Sequence, residues 1–348
     1  MPTPTPSTSD DTVPFLPLET PKKSRSRHFQ KLILAMIPFV ERRVQKMPRL
    51  AALEYGAKFG ELGYRFANKA RETAYKNLRF VYGDALTQAD RERIVRGVFR
   101  HFGRMGAEFL RGPLIKTAAD FTDLVESVEG WDEHIAPLQE ADGTILGRGL
   151  VFCTGHIGNW ELLGRYMVSR GIPLTVVARD PEDPGFAAWA KRMRQGAGFG
   201  VSAKGESAKK LISALRRGEA VALLHDQSSG DVFIPFFGVP AGTAWGPALL
   251  AHRTNALVIT CAGITDPAKD YRYRFTFDAP LAIPNTGDKE ADYTILMTQA
   301  NERLEARIRQ HPEQWLWLHD RWKATFQKHN RERLPEGLDL AALWERFV

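Results

Sequence analysis

Two hydrophobic periodicities divide the chain into a helical part and a part of alternating character. In residues 51–111, apolar side chains such as Ile94, Val98 and Phe102 recur three or four positions apart, which predicts amphipathic helices. From about Ile145 the pattern changes, and short apolar runs alternate with helical segments. These runs are residues 149–153, 174–178, 220–224, 256–262 and 272–277. Strands that alternate with helices predict an α/β fold behind an N-terminal helical layer.

The helical stretches carry two further signals. Gly56, Gly60 and Gly63 have no side chains to hold neighbouring helices apart, so we expect close helix contact there. A last helix is predicted at residues 291–309, because its apolar residues share one face and Pro312 follows it.

Charge and composition describe a globular protein that favours acidic partners. The 48 Lys and Arg residues outnumber the 41 Asp and Glu residues, which gives a formal net charge of +7 over 348 residues. This excess suits phospholipid surfaces, phosphorylated substrates, acidic carrier proteins or nucleic acid, and charge alone does not choose among them. Cys153 and Cys261 fall in predicted strands, so we expect reduced core residues, as in a cytoplasmic protein.

The N-terminal segment joins a polar tail to a basic and apolar region. Residues 1–21 are rich in Pro, Ser and Thr and lack the features of a signal peptide, so we expect disorder. In residues 22–49, nine basic side chains flank the apolar run 32–40, which Pro38 interrupts. A helix that spans a bilayer needs roughly 20 apolar residues. The pattern is typical of an interfacial membrane anchor; the alternative is a solvated tail and a first helix packed on the body.

The most informative segment is 155–161, Gly-His-Ile-Gly-Asn-Trp-Glu. It follows a predicted strand and precedes a predicted helix, so His156 should lie on a strand-to-helix turn and face a cleft. An imidazole and a carboxylate five positions apart suit general-base catalysis, with Glu161 as the group that orients His156. The same pattern is compatible with a histidine whose hydrogen bonds are satisfied at a helix start.

Other kinds of chemistry have less support. His225, Asp226 and His252 could be imagined as metal ligands beside His156, but their spacings match no zinc pattern, and we expect no metal. Nucleophile elbows of the G-x-S-x-G kind, P-loops and complete G-x-G-x-x-G turns are absent from the sequence. Nucleotide-driven chemistry is therefore not indicated.

Two segments rich in aromatic residues leave alternatives open. The polar loop 226–230 runs into the apolar segment 232–241, which suits a substrate tail beside a polar headgroup or, more simply, a buried loop with tight turns. The segment 315–323 interleaves Trp with basic residues. It is compatible with a core strand, a membrane-interface belt or a nucleic-acid stacking surface.

Four ordered blocks together resemble the bacterial lipid A biosynthesis (lauroyl/myristoyl) acyltransferases, a branch of the His-x4-Asp/Glu acyltransferase superfamily. The blocks are residues 155–161, 179–194, 226–243 and 312–323. The resemblance implies an α/β fold like that of glycerolipid acyltransferases, with a mixed central sheet flanked by helices and N-terminal helices that dock to a membrane. The expected parts are a disordered tail at 1–27, a membrane-associating helical region at 28–125, the acyltransferase domain at 126–330 and a C-terminal tail at 331–348.

The resemblance implies transfer of a fatty acyl chain from an acyl carrier protein thioester to a hydroxyl of a lipid A precursor. His156 would be the general base and Glu161 would fix its tautomer, and no acyl-enzyme is needed because the attacking oxygen belongs to the acceptor. Arg194 matches a functional arginine of the family and would bind phosphate or the carrier. Asp226 matches a family aspartate with a supporting role. The residues expected to bind substrate are Arg194, Asp226, Asn159 and Arg179.

The implied partners are acyl carrier protein, a glycolipid acceptor and a membrane surface, without a cofactor, a metal or nucleic acid. The implied location is the cytoplasmic face of the inner membrane, with peripheral or single-anchor attachment because the run 32–40 is short. A near alternative is another glycolipid or a lysophospholipid as acceptor, since the same base would serve any hydroxyl. An alternative of another class is a non-catalytic membrane-binding scaffold, against which the intact pair of His156 and Glu161 argues.

Overall fold

The computed structural model describes residues 27–145, 147–178, 183–203 and 208–347. Residues 1–26 of the predicted polar tail lie outside the described residues.

The N-terminal layer is built from four helices within this described part. They are α1 (Arg27–Lys46), α2 (Arg49–Phe66), α3 (Asn68–Tyr82) and α4 (Gln88–Arg111). α4 starts with a capping box, in which the Thr87 side chain accepts a hydrogen bond from the backbone N–H of Asp90. A Cβ built on Gly56 of α2 would lie 2.3 Å from the carbonyl oxygen of Gly103 in α4. The close helix contact predicted from the glycines is therefore confirmed.

Across the described residues, no helix has the length and apolar character needed to cross a bilayer.

Nine strands occur in the described residues. They are β1 (Val125–Glu129), β2 (Leu150–Thr154), β3 (Leu174–Ala178), β4 (Gly200–Ala203), β5 (Ala220–Leu224), β6 (Val232–Phe236), β7 (Val239–Thr243), β8 (Leu257–Asp266) and β9 (Arg272–Phe277). Seven of them form one sheet in the order β1-β9-β8-β2-β5-β3-β4, and β6 and β7 form a hairpin. The sheet is parallel from β8 to β4, whereas β9 runs antiparallel to β8.

The predicted mixed sheet is thus confirmed, and each of the five predicted apolar runs is a strand. Strands β1 and β4 and the hairpin were not predicted.

The sheet is covered by helices on both faces. The later helices of the described part are α5 (Trp131–His134), α6 (Trp160–Ser169), α7 (Pro184–Gln195), α8 (Ala208–Arg216), α9 (Gly246–Thr254), α10 (Lys289–Gln310) and α11 (Leu340–Phe347). Leu150 and Phe152 of β2 pack in the core that contains α6, while Val151 and Cys153 pack in the core that contains α8, α9 and α10. Because both faces of β2 are buried, its sequence is an uninterrupted apolar run. The helix predicted at residues 291–309 is confirmed as α10, but it is not the last helix, because α11 follows it.

Cys153 and Cys261 are free and buried in β2 and β8, as the sequence predicts.

A third core joins α3 and α4 to the carboxyl end of the sheet. It contains Trp315, Trp317 and Trp322, each at most 1% exposed, together with Phe236 and Phe237 of the hairpin. The burial expected for both aromatic segments is therefore confirmed, although residues 315–323 form no strand and the other segment contains the hairpin. Rings packed in this way are not available as a membrane belt or as a stacking surface for nucleic acid.

The C-terminal segment, expected as a tail from residue 331, includes helix α11. Phe347 of α11 is buried and stacks on Phe326, with 4.2 Å between the ring centroids. The same ring meets Phe80 of α3 edge to face. The end of the chain thus completes the third core.

Candidate active site

The turn between β2 and α6 carries the segment 155–161. β2 ends at Thr154 and α6 begins at Trp160, so His156 lies on a strand-to-helix turn, as predicted. β2 lies inside the sheet between β8 and β5, and this carboxyl end is where α/β sheets usually bind ligands. Gly158 has a φ of +59°, and a Cβ there would lie 2.0 Å from the Gly263 carbonyl oxygen, so the turn requires glycine.

Backbone hydrogen bonds fix the turn on two sides. Leu316 donates to the carbonyl of His156 at 3.1 Å, and Gly158 donates to that of Gln314 at 2.9 Å. On the other side, the backbone N–H of Asn159 donates to Gly263 of β8 at 2.8 Å. The position of His156 is therefore set by the sheet and by the segment around Trp315.

Asp226 is the hydrogen-bond partner of His156. Nδ1 of His156 lies 2.7 Å from Oδ1 of Asp226, and the backbone N–H of His156 donates to Oδ2, also at 2.7 Å. The register of the sheet explains this contact, because Thr154 pairs with Leu224 at the ends of the adjacent parallel strands β2 and β5. His156 and Asp226 each follow their strand end by two residues. Two positions that are 70 residues apart in sequence therefore meet.

Trp315 adds a third hydrogen bond to the same carboxylate. Its indole Nε1–H donates to Oδ2 of Asp226 at 2.8 Å, from a side chain that is 1% exposed. Asp226 is buried, with 2% of its side chain exposed, while His156 is 20% exposed. The imidazole is thus partly exposed to solvent, whereas the carboxylate is enclosed.

The charge of Asp226 follows from these contacts. Burial by itself would raise its pKa, but the charge and hydrogen bonds of His156, together with His225, hold the pKa of Asp226 well below its usual range. Because an ionised carboxylate accepts hydrogen bonds, the neutral imidazole carries its hydrogen on Nδ1 and its lone pair on Nε2. Within the described residues, Nε2 of His156 has no hydrogen-bond partner. This nitrogen is placed to take a proton from a bound molecule.

Glu161 is paired with Arg194 instead of His156. Nη2 and Nε of Arg194, in α7, lie 2.5 and 3.1 Å from Oε1 of Glu161. Glu161 is in the first turn of α6, and that helix directs it away from the preceding turn. The prediction that Glu161 orients His156 is therefore wrong, because Asp226 occupies Nδ1.

The other predicted site residues have different settings. Asn159 is buried, and its side chain caps α6 by accepting from the Leu162 N–H and donating to the Tyr273 hydroxyl, each at 3.0 Å. Its amide is thus engaged within the fold. Arg179 lies outside the described residues. Asp226 and Arg194 both lie close to the turn 155–161, as partners of its histidine and its glutamate.

Three further histidines surround the turn. His101 bonds the Gly158 carbonyl, His225 bonds the Thr154 carbonyl, and the Ser228 N–H donates to His319, over 2.9 to 3.0 Å. Burial lowers the pKa of each imidazole to about 4. They are neutral at pH 7 and add no positive charge beside His156. No set of three His, Cys, Asp or Glu side chains among the described residues is arranged to hold a metal ion.

A row of aromatic rings leads away from His156. The ring of Trp160 lies 4.9 Å from that of His156 and 6.0 Å from that of Phe102, and Phe109 lies 5.5 Å from Trp189 in α7. Phe102 and Phe109 share one face of α4 and are seven residues, or roughly 10 Å, apart. α4 therefore carries one aromatic cluster beside the imidazole and a second one farther along the same face.

Sequence reasoning did not assign Trp315 or His101 to the site. Trp315 stood out as part of an aromatic block, but an indole N–H that bonds a carboxylate leaves no periodic signal. The partnership of His156 and Asp226 had one signal, since both residues follow apolar strands by the same short interval. This interval identifies the pair only when β2 and β5 are known to be adjacent strands.

Comparison with known proteins places this arrangement in a family. The sequence-family model named bacterial lipid A biosynthesis acyltransferase matches residues 19–324 of this chain. The lipid A biosynthesis lauroyltransferase of Escherichia coli is 24% identical over 304 residues, which cover 85% of this chain and 90% of that protein. The phosphatidylinositol mannoside acyltransferase of Mycolicibacterium smegmatis is 25% identical over 302 residues, with 84% and 92% covered. The lipid A biosynthesis palmitoleoyltransferase of Escherichia coli is 25% identical over 278 residues, with 77% and 83% covered. The chain therefore belongs to the bacterial lipid A biosynthesis acyltransferase family and is an O-acyltransferase.

Proposed function

We propose that this enzyme transfers a fatty acyl chain from an acyl carrier protein thioester to a hydroxyl of a lipid A precursor, with His156 as the general base. The observation that carries the proposal is the hydrogen bond from Nδ1 of His156 to Asp226, which leaves the Nε2 lone pair of this partly exposed side chain available to a substrate. The names of the Escherichia coli relatives supply the class of acceptor. The positive net charge suits an acidic carrier protein.

The reaction needs one proton shuttle. Nε2 of His156 takes the proton of the acceptor hydroxyl as the oxygen attacks the thioester carbonyl. When the tetrahedral intermediate collapses, the carbon–sulfur bond breaks and the imidazolium returns the proton to the leaving thiolate. Asp226 stabilises the imidazolium between these steps and stays ionised, because its pKa is held low.

No acyl-enzyme is part of this proposal. Cys153 and Cys261 are enclosed in the sheet, and burial raises the pKa of both thiols, that of Cys261 to about 12. An enclosed, protonated thiol is a poor nucleophile. Direct attack by the acceptor oxygen is the simpler route.

The aromatic row gives the acyl chain a place beside the base. Trp160 lies next to His156 and Phe102 lies next to Trp160, while Phe109 and Trp189 form a second aromatic pair farther along α4. A saturated chain that lies on these rings would leave water, which favours binding by about 0.8 kcal/mol for each buried methylene. Glu161 and Arg194 border this end of the sheet and are assigned to the polar part of the substrates.

The N-terminal helices are assigned to the membrane surface, at the cytoplasmic face of the inner membrane. Apolar side chains stay exposed on α1 and α2; they are Met36, Phe39, Leu50, Phe59, Leu62 and Phe66. Basic side chains are exposed on the same two helices; they are Arg42, Arg43, Lys46, Lys58 and Arg65. Apolar rings with surrounding positive charge match the interface of an anionic bilayer.

A transfer assay tests the function. Wild type and His156→Ala are supplied with acyl carrier protein thioesters of several chain lengths and a lipid A precursor, and the product is measured by mass. We expect acylated precursor from wild type and a loss of roughly a thousandfold or more in His156→Ala. Undiminished transfer by His156→Ala would overturn the mechanism. Coenzyme A thioesters in a parallel series distinguish the donor.

A second acceptor class has a specific observation in its favour. The Mycolicibacterium smegmatis relative is named for a phosphatidylinositol mannoside and covers as much of the chain as the lauroyltransferase does. The same assay therefore includes a phosphatidylinositol mannoside and a lysophospholipid. Product from these acceptors and none from the lipid A precursor would support the proposed reaction and show that the proposed acceptor is wrong.

Vesicle sedimentation tests the membrane assignment. Phe59→Ser with Phe66→Ser should weaken binding to vesicles that contain phosphatidylglycerol by at least about tenfold. Ile283→Ser with Ile295→Ser removes two exposed apolar side chains elsewhere on the surface and serves as the control. Equal binding by the two double variants would contradict the assignment.

A further inference from the structure

Three tryptophans of one segment differ in what their indole N–H groups meet. Trp315, Trp317 and Trp322 belong to the same core and are each at most 1% exposed. Trp315 donates to the Asp226 carboxylate, and Trp317 donates to the carbonyl of Pro312 at 2.9 Å. Nε1 of Trp322 is buried without a partner in the described residues. The three rings are equally buried, but their indole N–H groups have different partners. Comparing variants of the three tryptophans therefore separates the effect of ring packing from the effect of the hydrogen bond.

We propose that Trp315 is a positioning residue for the general base, which it acts on through Asp226. The inference rests on the proposed function, because it assigns a further residue to the same reaction. Trp315 is not accessible to a substrate, since its ring is enclosed in the core. Its effect on the reaction therefore passes through the carboxylate.

The hydrogen bonds on Asp226 show why this donor matters. His156 itself supplies two of the three N–H donors, from its backbone and from Nδ1. The bond from Trp315 is the one that does not depend on the histidine. The χ2 torsion of an aspartate is broad and roughly two-fold, so a carboxylate needs an external contact to fix its plane. The indole N–H supplies that contact on Oδ2 and keeps Oδ1 directed at Nδ1 of His156.

The backbone ties the same segment to the turn. Leu316, the next residue after Trp315, donates to the carbonyl of His156, and Ile157 forms a bridge with Trp315. One stretch of chain thus positions both members of the pair. Because this backbone contact persists in a Trp315→Phe variant, that substitution removes the indole N–H while leaving the turn held.

Removing the donor should change how the pair holds a proton. A carboxylate that has lost one hydrogen bond attracts the remaining proton of the pair more strongly, so transfer of that proton to and from substrate is disturbed. We expect kcat of Trp315→Phe to fall by about 10- to 50-fold with little change in KM for either substrate. The acid limb of its pH–rate profile should move to higher pH by about half a unit or more.

The matched controls are Trp317→Phe and Trp322→Phe, which remove the same ring volume from the same core. Trp317→Phe also removes an indole hydrogen bond, whereas Trp322→Phe does not. Both should lower the thermal unfolding midpoint, as Trp315→Phe does, and both should keep the wild-type pH profile. If Trp315→Phe lost no more kcat than Trp322→Phe and kept the wild-type acid limb, its role would be packing and the proposal would be overturned.

A measurement on wild-type protein covers the case in which Trp315→Phe does not fold. In 15N-labelled protein, the indole N–H resonance of Trp315 should titrate with the same midpoint as the ring nitrogens of His156, and that of Trp317 should not. Resonances of Trp315 and Trp317 that are equally insensitive to this midpoint would overturn the proposal.

Failure of the proposed function gives a different result. If His156→Ala kept full transfer activity, the general base itself would be wrong. If His156→Ala were inactive while Trp315→Phe behaved like Trp322→Phe, the role of His156 as general base would be supported and the role of Trp315 as a positioning residue would be overturned.

Discussion

The carboxylates of Asp226 and Glu161 lie at the same end of the sheet in contrasting settings. Asp226 follows β5, is enclosed, and has three N–H donors, two of them from His156. Glu161 is much closer to His156 in sequence, is more exposed, and pairs with Arg194. The adjacent strand provides the partner of the imidazole, and the nearby glutamate belongs to a separate ion pair. A motif that joins His156 and Glu161 in sequence therefore corresponds to two separate hydrogen-bonded pairs in space.

The largest expected effect separates the two carboxylates by activity. Asp226→Asn replaces an acceptor with a group that can donate to Nδ1, which favours the wrong tautomer of His156. We expect kcat/KM to fall about a thousandfold or more, by analogy with the aspartate of a Ser-His-Asp triad. Glu161→Gln leaves the imidazole and its partner in place and should cost about tenfold, expressed partly in KM. The transfer assay measures both variants under the same conditions.

Thermal unfolding of the two variants is the control for folding. Equal losses of activity in Asp226→Asn and Glu161→Gln, with both variants folded, would remove the distinction. A larger loss in Glu161→Gln would return the orienting role to the glutamate.

The same contrast explains what could be predicted from sequence. β2, α6 and the turn at His156 are encoded locally, by an apolar run followed by a helical period. The pairing of His156 with Asp226 depends on β5 lying beside β2, which the order of strands along the chain does not reveal. Closeness in sequence therefore suggested Glu161 as the partner of His156, whereas the strand order of the sheet makes Asp226 the partner.

The strands that escaped prediction have local reasons. β4 has four residues and begins with Gly200, so its pattern is too short to detect. In the hairpin, Pro235 of β6 faces Pro240 of β7, and proline usually argues against a strand. Phe237 and Gly238 form the turn with φ of +53° and +73°. A bulky residue with positive φ is rare and is not suggested by turn-residue preferences.

The second effect concerns the buried, neutral histidines beside the turn 155–161 and Asp226. Burial lowers the pKa of His101 to about 4, below the ordinary 6.5, so the unfolded chain binds a proton more readily than the folded one. The contribution of His101 to the free energy of unfolding therefore falls as pH decreases from about 6.5 to 4, and it is constant above about pH 7. For His101 alone the loss is about 3 kcal/mol over this range. His225 changes in the same direction.

Denaturant unfolding of wild type and His101→Gln between pH 4 and 8 measures this contribution. Glutamine can still donate to the Gly158 carbonyl but does not titrate. We expect the slope of stability against pH to decrease by up to about 1.4 kcal/mol per pH unit between pH 4 and 6.5. Identical slopes in the two proteins would show that His101 is not held neutral by the fold.

The smallest effect tests whether Glu161 and Arg194 form a unit of their own. A double-mutant cycle with Glu161→Gln and Arg194→Gln, followed by thermal unfolding, gives their coupling energy. We expect about 1 kcal/mol at low salt, because the side chains are partly exposed, at 11% and 21%. The coupling should shrink in 1 M salt, where the Debye length is about 3 Å, whereas the activity ratio of Asp226→Asn to wild type should keep its value. Arg217 and Glu219, a more exposed pair, serve as the control and should show a smaller coupling. Two results would contradict this separation of the carboxylates. One is the absence of coupling between Glu161 and Arg194 at low salt, and the other is a measurable coupling of Glu161 to Asp226 in a second cycle.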